Sequence, residues 1–195
     1  MFTKLIMNLT TEWVVGFTDG EGCFTISINQ NRTTKLGYQV QLEFILTQHK
    51  DDWAVLEARK PVFGCGRVQD GGEGKSVAYY RVRNLEHLRD FVIPFFQKHS
   101  LKTRKRQEFL TFCEAAKLRL DLRELGKPRD VATLRKLAEL GGRRNNRKQG
   151  KAAEKFRRIQ EALRKLEDRV QPSGKLEGRT ERNSLPGKFW PARKA

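Results

Sequence analysis

The apolar positions of the chain switch between two periods, and the switches predict its elements. From Tyr38 to Thr47 they alternate: Val40, Leu42, Phe44 and Leu46 share one face and Gln39, Gln41 and Glu43 the other, as in a half-buried strand. Cys23 to Asn31 also alternates and is rich in β-branched residues, so it predicts a strand entering the turn Asn31–Gly37. Gly66-Arg67-Val68-Gln69 begins a third strand, and the loop Asp70–Gly74 closes a hairpin onto a fourth, Val77–Arg83.

Helical spacing fills the intervals. Thr10 or Thr11 caps a helix running to Asp19, which Gly20 and Gly22 are expected to stop. Asp51 or Asp52 opens a helix expected to end at Pro61. Leu85–His99 predicts a helix with Pro94 as kink or boundary, and another runs from about Thr103 to Leu125. The order α-ββ-α-ββ-α-α predicts an α+β fold, a four-stranded antiparallel sheet with helices on one face. Asp130–Leu140 predicts a short helix stopped by Gly141-Gly142, followed by a basic linker over 143–150. Phe156, Ile159, Leu163, Leu166 and Val170 then form the seam of an amphipathic helix, which packs back on the domain, completes a dimer or braces DNA. From Gln171 onward Pro, Gly, Ser and charges dominate, so the expected organisation is a core over 1–125, a basic helical extension over 126–170 and a loose tail over 171–195.

Charge narrows the partners. The chain has 195 residues, with 40 Lys+Arg against 23 Asp+Glu and a net charge of +17. Residues 1–125 hold 19 basic and 15 acidic side chains, a net of +4, whereas 126–195 hold 21 and 8, a net of +13. Such a basic extension attracts polyanions and displaces their counterions. No apolar run approaches the ~18 residues of a bilayer span. Cys23, Cys65 and Cys113 form neither a disulfide framework nor a zinc clip, and His49, His87 and His99 share no ligand spacing. An intracellular nucleic-acid partner fits this composition; a membrane or a secreted, disulfide-bonded scaffold does not.

The candidate chemistry sits at the end of the first helix. Asp19 and Glu21 add negative charge to a helix C-terminus, which already carries partial negative charge on its unpaired carbonyls. A bound cation would relieve this, and oxygen-only donors suit a hard ion such as Mg²⁺. Gly20 is expected to turn the backbone so that its carbonyl and the Glu21 carboxylate converge. The plainer alternative has Asp19 hydrogen-bonding the following strand and Glu21 in solvent. Gly16 and Gly20, four apart, would let a second copy of the helix approach closely and set two acidic tips side by side.

Val14-Val15-Gly16-Phe17-Thr18-Asp19-Gly20-Glu21-Gly22 resembles the motif of the LAGLIDADG homing endonucleases of group I introns. Gly16, Asp19 and Gly22 match it, and Glu21 replaces the second Asp with the same charge. Leu46-Thr47-Gln48, the stretch from Tyr80-Arg81-Val82-Arg83 to Phe95-Phe96, and Leu101-Lys102-Thr103-Arg104-Lys105 before Gln107-Glu108-Phe109 extend the likeness over about residues 8–125. With one motif per chain, the resemblance implies a homodimer that cuts both strands of a long pseudo-palindromic DNA site, with its sheets in the major groove. It also implies that Glu21 and the Gly20 carbonyl hold metal, that Asp19 is the more structural acid and that Gln48 orders water. Arg104 stands where the family often has Lys, with Lys102 or Lys105 taking its place in another register. Lys50 is the candidate for a basic residue near the scissile phosphate. An intron RNA maturase on the same fold is the alternative, with intron RNA as partner, and bacterial cytoplasm, chloroplast and mitochondrion are the candidate compartments.

Strand parity supplies the DNA-reading set. The outward positions are Thr25, Ser27, Asn29 and Asn31 on strand one and Gln39, Gln41 and Glu43 on strand two. Arg67 and Gln69 are candidates on strand three, and Arg81 and Arg83 on strand four. These side chains carry the hydrogen-bonding groups that distinguish base pairs in the major groove.

Overall fold

A computed structural model describes residues 8–126, 130–145 and 151–170. Helix α1 spans Thr11–Glu21 and strands β1 and β2 span Gly22–Gln30 and Tyr38–His49. After a 3₁₀ turn at Lys50–Asp52 come helices α2 (Trp53–Glu57) and α3 (Arg59–Phe63), then strands β3 (Arg67–Asp70) and β4 (Val77–Val82). Helix α4 (Leu85–His87), a π-turn at Leu88–Val92 and α5 (Ile93–Lys98) follow. Three longer helices complete the described chain: α6 (Lys105–Glu124), α7 (Val131–Asn145) and α8 (Lys151–Val170). The four strands form the expected single antiparallel sheet, and their order in it is β1-β2-β4-β3.

The helix-facing side of the sheet is the core. Phe24 lies directly opposite Phe44 in the β1–β2 register, with ring centroids 5.1 Å apart. Phe96, Phe109 and Phe112 bring the helices onto Phe24 at 5.2–5.6 Å. The stacked Phe24–Phe44 pair and the edge-to-face Phe24–Phe96 pair add ring–ring attraction to the burial of their area.

Several expected boundaries move, each for a physical reason. α1 does not stop at Gly20: it continues through Glu21, with Thr10 as its N-cap, and passes into β1 at Gly22. Only glycine fits at this passage, because a Cβ at Gly22 would lie 2.5 Å from the Thr18 carbonyl oxygen. Pro61 does not end a helix but lies inside α3 at its third residue, where a missing N–H leaves no intrahelical bond unmade. The interruption falls before it, at Ala58, and α3 ends at Gly64. His49, rather than Asp51 or Asp52, supplies the cap of the 3₁₀ turn. Pro94 is accommodated by the π-turn just upstream.

The C-terminal helices share the core. Asp130 accepts the Thr133 N–H at 2.7 Å at the start of α7; that bond and the Thr133 side chain hold the carboxyl below its ordinary pKa. Gly141 and Gly142 do not stop α7. A Cβ on Gly141 would meet the Ile26 carbonyl at 3.1 Å, so this residue lets the helix press on β1. Leu134, Leu137, Ala138, Leu140 and, from α8, Leu163 join the same apolar cluster as Phe24 and Phe44. The seam of α8 therefore packs back on the domain at Leu163. The expected tail over 171–195 lies outside the described residues, as does part of the 143–150 linker.

One core residue is anomalous. Arg59 is 0% exposed, and its three guanidinium nitrogens have no hydrogen-bond acceptor. Its guanidinium stacks on Trp13 at 4.3 Å and on Phe17 at 4.5 Å, and burial lowers its pKa to about 10. Two cation–π contacts offset part of the desolvation, but unmade hydrogen bonds to a buried cation remain costly. Arg59→Met is therefore expected to raise the free energy of unfolding by about 1–3 kcal/mol, read by urea denaturation; an unchanged or lower midpoint would contradict this account.

Candidate active site and nucleic-acid interface

The acidic end of α1 divides into one anchored and one free carboxylate. Asp19 accepts the Lys102 N–H at 2.8 Å, the Thr103 N–H at 3.2 Å and the Thr103 hydroxyl at 2.8 Å. The Thr103 Oγ1 in turn accepts the Lys105 N–H that opens α6. Asp19 therefore sits at the N-terminal end of α6, where the helix field favours negative charge. It bonds the segment before α6, not the following strand. Glu21, two residues on, is exposed and makes no hydrogen bond or ion pair among the described residues.

Helix geometry leaves the last carbonyls of α1 without intrahelical donors, apart from the Thr18 oxygen, which accepts the Gly22 N–H. The Gly20 carbonyl and the Glu21 carboxylate are thus hard oxygen donors at one tip, with Gly20 in helical rather than turned conformation. No cluster of three or more His, Cys, Asp or Glu that could hold a metal occurs among the described residues.

The neighbouring candidates fall into two groups. Gly22 pairs with Leu46, which brings the end of β2 and Gln48 to the same edge of the sheet as the α1 tip. Gln48 bends back to accept the His49 N–H at 2.9 Å. Lys102 is fixed through its backbone on Asp19, with its side chain exposed, whereas Arg104 lies one step further along, as the residue preceding α6. Lys105 approaches Glu108 at 3.9 Å. Lys50 is bound to Asp70 at 2.8 Å, which with the Gly72 N–H holds the Asp70 carboxyl below its usual range, so Lys50 is not a free cation.

The face of α1 away from the core is open. A Cβ built on Gly16 or Gly20 meets no atom within 4 Å, and Trp13, stacked on Phe17 at 4.9 Å, is 41% exposed. Trp13, Gly16 and Gly20 lie on one side of the helix at spacings of three and four, while Phe17 packs against the core cluster and with Trp13 covers Arg59.

The sheet face opposite the core carries the polar set. Thr25, Ser27 and Asn29 alternate with the core residues of β1, and Gln39 and Gln41 with those of β2. Arg67 stands across from Arg81, and Gln69 from Tyr79. Two expectations need correction. Asn31 lies beyond β1 and holds the β1–β2 turn, donating to Gln39 at 2.9 Å and accepting the Thr33 N–H and hydroxyl. Glu43 is only 7% exposed and accepts from Arg81 and Arg83, so it is not a carboxylate facing the solvent. Thr103 bonds the tip of α1 and Tyr79 lies on the polar face of the sheet, although residue-type reasoning passes over both. Tyr79 shares its parity with Arg81, a signal present in the sequence; the bond of Thr103 to Asp19 spans 84 residues and has none.

This fold and site define a LAGLIDADG-type nuclease scaffold. A family model described as LAGLIDADG endonuclease matches residues 14–116, and the chain belongs to that family. It is 35% identical over 105 residues to a probable intron-encoded endonuclease, Cox1-I1b, of Schizosaccharomyces pombe; the match covers 54% of this chain and 26% of the relative. It is 31% identical over 87 residues to DNA endonuclease I-CeuI of Chlamydomonas moewusii, covering 45% and 40%. Among solved structures it is similar to the homing endonuclease I-TnaI, at 36% identity and a TM-score of 0.68 over 80% of this chain and 99% of that one. I-SmaMI bound to an uncleaved DNA target with calcium ions gives 32% and 0.62, over 69% of this chain and 44% of that one. The chain spans about a quarter of the length of the first curated relatives it matches.

The Asp19 bonds yield a stability prediction. Asp19→Ala removes a charge-assisted acceptor from three donors and is expected to lower the free energy of unfolding by about 1–3 kcal/mol in denaturant titration. A loss no larger than that of Glu21→Ala would show that Asp19 is not the anchor.

Proposed function

We propose that this chain is a DNA endonuclease that acts as a homodimer and hydrolyses phosphodiester bonds at a long pseudo-palindromic site with a divalent cation, Mg²⁺ by preference. The observation that carries the reading is the asymmetry of the two acids: Asp19 is consumed by structure, and Glu21 is free at an exposed helix tip. The relatives' names, intron-encoded endonuclease and DNA endonuclease, support it.

Glu21 and the Gly20 carbonyl would hold the cation, and their oxygen chemistry fits a hard ion. Because one chain offers too few donors, a second α1 tip and the DNA phosphates would complete the shell. When bound, a divalent ion lowers the pKa of a water and offsets charge on phosphate oxygens. The Gln48 amide orients water at the edge of the sheet. A cation beside the tip stabilises the charge that grows on the phosphate, and the backbone anchor on Asp19 favours Lys102 over Arg104 for this role. The open Gly16–Gly20 face receives the second copy. The sheet face with Thr25, Ser27, Asn29, Gln39, Gln41, Arg67 and Gln69 lies in the major groove. The protein works inside a cell, and no helix among the described residues is long and apolar enough to cross a membrane. The alternative of an RNA maturase draws on the +13 of residues 126–195; the free Glu21 favours cleavage.

Glu21→Gln is expected to abolish magnesium-dependent cutting of target duplex while binding measured by gel shift stays within a few-fold; undiminished cutting would refute the assignment. Lys102→Met should cost on the order of a hundredfold or more in cleavage rate, and Arg104→Met far less; the reverse order would move the role to Arg104. Sedimentation should give a dimer that Gly16→Arg converts to monomer. A wild-type monomer that still makes double-strand breaks would rule out the paired-tip arrangement.

A further inference from the structure

The outward face of the sheet holds one carboxylate among three arginines, and it is nearly sealed. Glu43 is 7% exposed, yet it lies on the polar parity of β2, across from Thr25 on β1. Its Oε1 accepts from Arg81 Nη1 at 3.1 Å and from Arg83 Nε at 2.5 Å. A carboxylate so covered cannot reach a base edge, so its role is to hold the two arginines.

The two arginines are held differently. The guanidinium of Arg81 lies over the Tyr79 ring at 4.4 Å, its Nε is buried without an acceptor, and its side chain is 22% exposed. Arg81 therefore neutralises Glu43 and fills the face. Arg83 lies just beyond β4 with its side chain 51% exposed, and Glu43 engages only its Nε. Its terminal nitrogens Nη1 and Nη2 make no hydrogen bond among the described residues and form a donor-only fork. Among base edges in the major groove, guanine alone presents two adjacent acceptors, O6 and N7, to such a fork. A fork fixed at Nε loses less side-chain entropy on binding than a free one.

We infer that Glu43 is a positioning residue that fixes Arg83 end-on, and that Arg83 reads a guanine at the same position of each half-site. This assignment rests on the DNA-binding reading above and adds a base to it. Glu43 contributes to base choice without touching DNA, and Arg81 is a strut rather than a reader.

The test is selection of bound duplexes by the full chain, with calcium in place of magnesium. The library is randomised over a stretch longer than the sheet's footprint. Wild type should enrich a consensus with guanine at one position per half-site. Glu43→Gln should reduce the preference for that guanine on the order of ten- to a hundredfold and leave the other enriched positions in place. Arg83→Met has no donor for guanine O6 or N7; it should erase the same guanine even if Glu43→Gln fails to fold. A consensus unchanged in Arg83→Met overturns the assignment of the reader. An unchanged guanine in a folded Glu43→Gln overturns the positioning role. A wild-type selection with no consensus at all overturns the sequence-specific reading itself, and this inference with it.

Discussion

The interaction on which the site depends is the bond of the Asp19 carboxylate to Lys102 and Thr103. Two helix ends of opposite polarity meet there: the C-terminal end of α1, rich in unpaired carbonyls, and the N-terminal end of α6, rich in unpaired N–H groups. One carboxylate between them takes the donors of the segment leading into the second and fixes its distance from the first. The rest of the tip follows. Gly22 lets the chain leave α1 straight into β1, and Glu21 is left exposed with no hydrogen bond or ion pair among the described residues.

This arrangement recasts the electrostatics of the motif. In the linear sequence Asp19 and Glu21 look equivalent, two acids at an unfavourable helix end. In the fold Asp19 is compensated by the donors of Lys102 and Thr103, whereas Glu21 has no such donor among the described residues. The glycines on the same helix, Gly16 and Gly20, are exposed.

Much of the architecture was legible because sheet periodicity is a local signal. The alternation of Val40, Leu42, Phe44 and Leu46 survives intact, and Gln39 and Gln41 stay on the face opposite them. The errors cluster where a residue's meaning is set by something distant. Gly20 and Gly141 carry the sequence signature of helix stops, yet both lie inside helices. Gly141 is there because β1 lies against it, which the residues around it do not reveal. Pro61 was misleading because its effect depends on position within a helix rather than on its presence. At the site, Glu21 and Asp19 were visible as acids, but their division of labour was not, because Thr103 lies 84 residues away. Parity puts Glu43 on the correct face but does not show that Arg81 and Arg83 cover it, since it says which way a side chain leaves the sheet and not what lies over it.

The seating of α7 against β1 has a consequence for anyone recombining such scaffolds. Leu134, Leu137, Ala138 and Leu140 are as deeply enclosed as the phenylalanines of the sheet, and Leu163 of α8 closes over them. The last two described helices are thus structural members rather than an appendage. A chimera that borrowed only the strands and the motif helix would inherit a raw apolar flank along β1. Transplanting the recognition surface to another host fold means carrying these helices with it, or redesigning the flank they shield.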